Sequence, residues 1–372
     1  MALKLLHTSD VHIGLKFASH EDVAPTLIAA RFECLERLIQ RASKEKCDLV
    51  VIAGDLFDRV GVPKSDVLRV AQILAEFEGH LVTVLPGNHD YVDPDRDAPW
   101  KWLKEKAGDN LLILDRPGPV DLSPHGVPAV LYPCPCSAKH SEKNAVGWVA
   151  DVDRNQAIPH HIGIAHGSLE GVSPDFAQNY FPMKVGQLRA LPVDLWLLGH
   201  THIPFPQNPA TLDRIFFAGT PEPDGFDCAH KGTAWIHEFD DQGALRSTLL
   251  TAGRFAFRHD EVKVENADDV ESLRSRYQDP ASKQLLLKLK VSGRLPDEVH
   301  ASLAALPAEL KKHLFWLQFD DSAVTRQITK SDIDGAFTEG SFPHRLLTRL
   351  AQHDADQEAL QEAYRLIQEV RR

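Results

Sequence analysis

Five short apolar runs in this chain each end at an Asp, Asn or His, and that repeated ending constrains the fold more than any other feature. Leu3–Leu6 leads to Asp10-Val11-His12, and Leu49–Ala53 leads to Gly54-Asp55-Leu56-Phe57-Asp58. Leu81–Leu85 leads to Pro86-Gly87-Asn88-His89-Asp90, His161–Ala165 to His166, and Leu195–Leu198 to Gly199-His200-Thr201-His202. Short apolar runs of this kind read as strands, and Leu49–Ala53, β-branched and polar-free, as one covered on both faces. One such ending means little, because Gly and Asn are ordinary turn residues and a lone Asp is commonly a loop carboxylate or a helix cap. Five of them place metal-ligand chemistry at the carboxyl end of one strand after another.

The segments between these runs set the fold class. Thr26–Lys46 has apolar residues at helical spacing (Leu27, Ala30, Leu35, Leu38, Ile39), and Ser65–Glu78 reads as a second helix capped at Ser65 or Asp66, with Gly79 beyond it. The β-α-β-α-β alternation predicts an α/β layer of largely parallel strands. After a short helix around Trp100–Ala107, strands at Leu111–Leu114, Val120–Leu122 and Ala129–Leu131 change the rhythm and predict a second sheet on the first. Pro133–Pro159 reads as loop with some helix, and strands at Ile215–Ala218, Thr233–Phe239 and Leu245–Leu250 finish the domain.

Beyond Arg254 the pattern is a smaller unit of the same kind. Strands are expected at Phe255–Val264, Gln284–Val291 and Phe315–Phe319, with helices at Ala267–Tyr277 and Asp297–Lys312 between them. Pro343–Gln352 and Asp356–Val370 are amphipathic helices whose stripes (Leu346, Leu347, Leu350; Leu360, Ala363, Tyr364, Ile367) either pack on this unit or face a partner. The expected division is 1–254, 255–335 as a cap, and 336–372 as C-terminal helices.

Composition narrows the setting. Hydrophobic residues at 43% and charged residues at 25% are those of a soluble globular protein. No run approaches the roughly 18 apolar residues of a membrane span, and the opening residues lack the pattern of a secretory signal. Five scattered cysteines, Cys34, Cys47, Cys134, Cys136 and Cys228, do not make a disulfide framework. Cytoplasmic localisation and no membrane partner are therefore expected. The net charge of −12 argues against a broad basic nucleic-acid surface.

In α/β sheets, functional residues gather where loops leave the carboxyl ends of the strands. Asp10, His12, Asp55, Asn88, His166, His200 and His202 form an oxygen and imidazole set without thiolate, suited to manganese, iron or zinc. Extended segments would put Asp10 with His12, and His200 with His202, on common faces. Seven ligands exceed what one ion needs and suit two divalent ions sharing a carboxylate, an arrangement that hydrolyses phosphate esters. His89 is the candidate for protonating the leaving oxygen, with Asp58 accepting its other N–H. Arg59 is a candidate phosphate contact, with a surface ion pair as its alternative.

Together the five motifs resemble the calcineurin-like metallophosphoesterase superfamily, across residues 1 to about 250. Thr8–Gly14, Gly54–Asp58, Gly219-Thr220-Pro221-Glu222 and Lys231-Gly232 look like the DNA-repair nucleases of the SbcD type, including the YhaO-like branch. The resemblance implies a four-layer α/β/β/α sandwich with a small C-terminal α/β capping domain. It implies one ion on Asp10, His12, Asp55 and His202, and another on Asp55, Asn88, His166 and His200, with manganese the usual metal. It further implies a catalytic His89 oriented by Asp58, DNA as substrate for exo- or endonucleolytic cleavage, and an SMC-like coiled-coil ATPase docked on the C-terminal helices; a homodimer is left open. The competing expectations are an enzyme for small phosphoesters, such as cyclic nucleotides or phosphomonoesters, and a non-catalytic scaffold.

Overall fold

The computed structural model describes residues 1–93, 98–208, 214–352 and 357–370. The chain divides into two compact units, Met1–Phe257 and Arg258–Arg372.

In the first unit the apolar runs become strands, and those of Leu49–Ala53, Leu81–Leu85 and Leu195–Gly199 are buried along both alternating faces. β1 (Leu3–Thr8), β2 (Leu49–Ala53), β3 (Leu81–Leu85) and β4 (Leu111–Ile113) pair in parallel. Parallel neighbours need a crossover. Here α1 (Ala24–Lys44), α2 (Lys64–Ala75) and α3 (Ala98–Lys106) supply it. A second sheet begins with β5 (Val120–Asp121), antiparallel to β6 (Ala129–Cys134), and continues in parallel through β7 (His160–His166), β8 (Leu195–Gly199) and β9 (Ile215–Phe217). A short helix, α4 (Val185–Ala190), lies between β7 and β8. The chain then returns to the first sheet, where β10 (Thr233–Phe239) runs antiparallel to β1, and β11 (Leu245–Thr251) pairs with β10. The sheet orders are β11-β10-β1-β2-β3-β4 and β5-β6-β7-β8-β9.

The period of two along each strand builds three apolar layers. Val50 and Ile52 join Leu35, Leu38, Val67, Val70 and Leu103 from the three helices. Leu49, Val51 and Ala53 point the other way, into a core shared with Leu131, Ile162, Ile164, Leu195 and Leu197 of the second sheet. Trp196 and Leu198 face a third cluster with Val149, Met183 and Leu188. Two sheets thus pack face to face, with helices α1–α3 outside the first; α4, a 3-10 turn at Gly147–Asp151 and loops cover the second.

Two local expectations shift. α2 starts one residue earlier, after Pro63 in extended conformation, and its first turn takes no side-chain cap from Ser65 or Asp66. It also ends at Ala75, because Phe77 turns into the core and Gly79 lies against the Cys47 carbonyl, which a Cβ would approach to 2.3 Å.

The second unit has a three-stranded sheet, β12 (Ala256–Val264), β13 (Leu285–Leu295) and β14 (Trp316–Arg326), in that order, with β13 and β14 parallel. α5 (Ala267–Arg276) and α6 (Asp297–Leu310) connect the strands. β14 runs well past the expected Phe319 because its polar second half pairs through the backbone with Ser292–Leu295. Three helices follow: α7 (Lys330–Ala336), α8 (Phe342–Leu350) and α9 (Gln357–Val370). Ile328, Ile333, Phe337, Leu347 and Leu360 form their common core, with Leu350, Ala363, Tyr364 and Ile367 against it. Leu347 and Leu350 of one stripe read from sequence, and all four residues of the other, therefore pack in the core shared with α7. The expected α9 start at Asp356 lies outside the described residues.

Candidate metal centre

Each ligand candidate sits on, or within a few residues past, the carboxyl end of its strand: Asp10 and His12 after β1, Asp55 after β2, Asn88 after β3, His166 on the last residue of β7, and His200 and His202 after β8. The pairs do not converge through extended backbone, as the sequence pattern suggests. Asp10, His12, Asp55 and His200 all have positive φ (53°, 46°, 52° and 99°). A non-glycine residue there costs on the order of 1–3 kcal/mol and persists only where its surroundings enforce it. The enforcement is visible, since the loops after β1 and β2 bond side by side: Asp10 N to Gly54 O (3.1 Å), His12 N to Asp55 O (3.0 Å) and Ile13 N to Leu56 O (2.9 Å). Two glycines let the loops close. A Cβ on Gly54 would stand 2.0 Å from His166 Nδ1, and one on Gly87 would stand 2.2 Å from Asp55 Oδ1.

The side chains meet around Asp55. Its Oδ2 lies 3.6 Å from His12 Nε2 and 3.2 Å from His166 Nε2. On one side, His202 Nε2 is 3.8 Å from Asp10 Oδ1. On the other, Asn88 Oδ1 is 3.0 Å from His166 Nε2 and 3.1 Å from His200 Nδ1. All seven sequence-nominated ligands are thus gathered in one place, with Asp55 between the two halves. The donor atoms of Asp10, His12 and His202 lie within 4.8 Å of one another, as do those of Asp10, Asp55 and His166. His12 Nε2 and Asn88 Nδ2 are buried without a hydrogen-bond partner among the described residues. A largely buried cluster of carboxylates and imidazoles with an unmatched ring nitrogen fits divalent cations.

A second ring of contacts aims the ligands. His166 Nδ1 donates to Ala53 O (2.9 Å), which leaves Nε2 as the donor atom facing the centre. His12 Nδ1 is 3.7 Å from Asp58 Oδ1, and His202 Nδ1 is 3.1 Å from Asp224 Oδ2. Asp10 accepts from Ser9 Oγ and from His200 N. Asp90 is buried and accepts from Gly87 N (2.7 Å) and Phe57 N (2.9 Å), which ties the β2 and β3 loops together. Asp90 and Asp224 carry no assigned role in the sequence reading. Asp90 was signalled by its place in Gly87-Asn88-His89-Asp90; nothing local signals Asp224.

Burial and charge divide the acids. Burial pushes Asp90 up to about 7, and the nearby Asp55 carboxylate adds to that. Burial also works against ionisation of Asp55, but His166, then His12 and His89, hold it well below the usual carboxylate range. Burial lowers His200 to about 3, with His166 reinforcing the effect. The centre therefore keeps an ionised carboxylate at its middle and a neutral imidazole at His200. Against the effect of burial, Asp55 pushes His166 up to about 9 and Asp224 pushes His202 up, so cation binding would displace their protons.

His89 is half-buried at the edge of the cluster. Its backbone N–H donates to Asp55 Oδ1 (2.9 Å), and its ring meets that of His12 edge-on at 4.9 Å. Its Nδ1 lies 2.9 Å from the main-chain carbonyl of Asp58, so the orienting contact runs through that carbonyl and not through the carboxylate expected from sequence. The Asp58 carboxylate faces His12 and Arg59 instead. Arg59, 39% exposed, pairs with Asp58 at 3.5 Å, the surface ion pair that was its alternative. Beside the centre lies a cleft of about 310 Å³ lined by Asp175, Tyr180, His200, His202, Ile203 and Cys228, among others. Tyr180 packs over the His200 ring at 4.8 Å.

Comparison with known proteins agrees with this geometry. The family profile described as calcineurin-like phosphoesterase matches residues 3–204. The uncharacterized metallophosphoesterase YhaO of Bacillus subtilis (strain 168) is 27% identical over 209 residues, covering 54% of this chain and 48% of that protein. The DNA double-strand break repair protein Mre11 of Methanopyrus kandleri is 24% identical over 331 residues, covering 80% of this chain and 67% of that protein. The chain spans about half the length of the first relative and two thirds of the second. Matched over more than half its length, with the ligand-bearing strand ends in order, this chain belongs to the calcineurin-like phosphoesterase family, whose members work through a dinuclear metal centre.

Proposed function

We propose that this chain is a manganese-dependent phosphodiesterase that cleaves DNA, acting as an exo- or endonuclease of the SbcD/YhaO-like branch in DNA repair. The observation that carries the reading is the Asp55 carboxylate set between His12 and His166, with His89 alongside. Asp10, His12, Asp55 and His202 would hold one ion, and Asp55, Asn88, His166 and His200 the other. Bound there, two divalent ions supply charge neutralisation at the phosphoryl oxygens and acidify water near neutral pH. The rest is the work of the chain. Asp55 stays ionised at the centre and fixes the β3 loop through His89 N. The Asp58 carbonyl accepts from His89 Nδ1–H, so Nε2 is the nitrogen left to face the departing oxygen. As the imidazolium, His89 gives that oxygen its Nε2 proton and returns to the neutral Nδ1–H form. Asp58 and Asp224 orient His12 and His202 from behind.

DNA as substrate is supported by the similarity to Mre11, which extends over 80% of this chain and so into the second unit. Docking of an SMC-like coiled-coil ATPase on α8 and α9 is the matching partner reading, supported by the exposed Phe342, Leu366 and Val370. Undiminished ATPase binding by a Phe342→Ser/Leu366→Ser double variant would refute it. All five cysteines are free and buried, which suits the reducing cytoplasm, and among the described residues no helix is long and apolar enough to cross a membrane.

The second reading, hydrolysis of small phosphoesters, draws on the net charge of −12. A manganese-dependent assay on linear duplex DNA, single strands and bis-p-nitrophenyl phosphate separates the two. DNA cleavage abolished by His89→Ala is the expected result. Brisk turnover of the small ester with intact DNA would overturn the nuclease reading.

A further inference from the structure

The segment Gly219-Thr220-Pro221-Glu222-Pro223-Asp224, between β9 and β10, lies outside the seven-ligand set, although Asp224 stands close enough to His202 and Cys228 to share a cation with them, and it is bound to the centre at several points. Thr220 N donates to His202 O (3.0 Å), and Thr220 Oγ1 lies 2.9 Å from Asp10 O. His230 Nε2 reaches the same His202 carbonyl at 2.7 Å. At the end of the segment, Asp224 Oδ2 is 3.1 Å from His202 Nδ1 and 3.3 Å from Arg31 Nη2.

Arg31 is the unexpected member. It lies on the apolar face of α1, 1% exposed, among Leu27, Phe32 and Leu35. Burying a guanidinium is costly unless it is paired and hydrogen-bonded. Among the described residues Arg31 meets that requirement through this segment: Nη1 donates to Glu222 O (2.7 Å) and Nη2 faces Asp224, while its Nε finds no hydrogen-bond partner among them. Glu222 is itself pinned, its carboxylate accepting from the backbone N–H groups of Arg254 and Phe255. The order of anchoring therefore runs from α1 to Arg31, to Asp224, to the His202 ring.

Resting on the two-ion reading of the centre, we propose that Asp224 is a positioning residue for divalent-cation binding. It keeps the proton of His202 on Nδ1 and aims Nε2 at the ion shared with Asp10 and His12, while Arg31 fixes Asp224. The support differs between the two halves of the centre. His166, in the other half, is aimed by the Ala53 carbonyl, which no side-chain substitution removes. Loss of Asp224 therefore acts on one ion of the pair.

Manganese titration of the full chain, followed by electron paramagnetic resonance and by equilibrium metal content, tests this. Losing such a support typically weakens metal affinity about 10- to 100-fold. Asp224→Ala is expected to weaken one ion by that factor and leave the other unchanged, replacing the spin-coupled pair signal with a mononuclear one at concentrations that saturate the wild type. Asp224→Asn, which keeps an oxygen acceptor and a polar neighbour for Arg31, is expected to lose less; it also guards against a folding defect, which thermal unfolding without metal would reveal. His202→Ala serves as the reference for complete loss of a ligand. Two ions at wild-type affinity in Asp224→Ala, or equal weakening of both, would overturn the positioning role. Loss as complete as in His202→Ala would make Asp224 a ligand and overturn it too. A wild type holding fewer than two ions would instead remove the two-ion reading on which the proposal stands.

Discussion

The two units of this chain use the same charged residues in opposite ways. In Met1–Phe257, Asp10, Asp55, Asp90, His12 and His166 are almost fully buried: backbone N–H groups hold the three aspartates, a carbonyl holds His166, and the carboxylates of Asp55 and Asp58 flank His12. In Arg258–Arg372 the charged side chains form exposed pairs, such as Arg326 with Asp297 and Asp332, and Arg365 with Glu362 and Glu369. Buried ionisable groups are costly and persist where something recovers the cost, whereas exposed pairs are nearly free and carry little. Substitutions should therefore have large chemical effects in the first unit and almost none at the surface pairs of the second.

The largest effect is expected at Asp55. Its carboxylate stands between both halves of the centre, so Asp55→Ala should release both ions together. Because electrostatic stabilisation is usually the largest catalytic contribution, activity should fall by at least about 10³-fold. Metal content by mass spectrometry checks this; a variant retaining full manganese content would contradict the bridging position. Next in size is His89→Ala, with a loss of about 10²- to 10⁴-fold, the range for general acid–base catalysis, and with both ions still bound. Loss of metal in that variant would make His89 a structural member of the centre. Asp58→Asn should be milder than His89→Ala, because the contact to His89 comes from the Asp58 main chain, which the substitution keeps.

How much of this was legible in the sequence depends on how far apart the interacting groups lie. The strand ends were readable because each apolar run and its ligand are adjacent, so periodicity alone places Asp55 or His166. The route by which Asp10 and His12 converge was not readable, since nothing in the pattern announces positive φ at a non-glycine residue. Asp224 was invisible because its partners, His202 and Arg31, lie 22 and 193 residues away. Arg31 itself interrupts the apolar stripe of α1 and reads as surface. α4 and α7 were missed because helices of 6 and 7 residues are too short to establish a period; α7 is announced only by its capping box, Thr329 with Asp332. The second half of β14 was missed because it is held by register with β13 and not by apolar residues.

A smaller effect, on stability, follows from histidines of the first unit that bind no metal. His7 on β1 and His237 on β10 lie 5.7 Å apart in the core. Burial lowers His7 from 6.5 to about 3 and takes His237 well below its usual value, with His7 adding to the effect. Each accepts a proton in the unfolded chain before it can in the folded one. Stability is then full above the unfolded value near 6.5 and falls as pH drops from there toward 3, by up to about 1.4 kcal/mol per pH unit for each fully buried histidine. Denaturant midpoints measured between pH 7 and pH 4 should fall more steeply for the wild type than for His7→Leu. Parallel curves would show that other groups control the acid limb.

The smallest effect is expected in the second unit, and it is the other half of the comparison. Arg365 on α9 forms two ion pairs, with Glu362 and Glu369, yet is 54% exposed. Held in water, such pairs gain little and lose side-chain freedom, and salt screens what remains. Arg365→Ala should leave the thermal midpoint, metal content and phosphoesterase rate unchanged, at low salt and at high salt alike. A clear drop in midpoint at low salt that disappears at high salt would show that these pairs do stabilise the α8–α9 region. The contrast between a buried, functional set of charges and an exposed, idle one would then have to be redrawn.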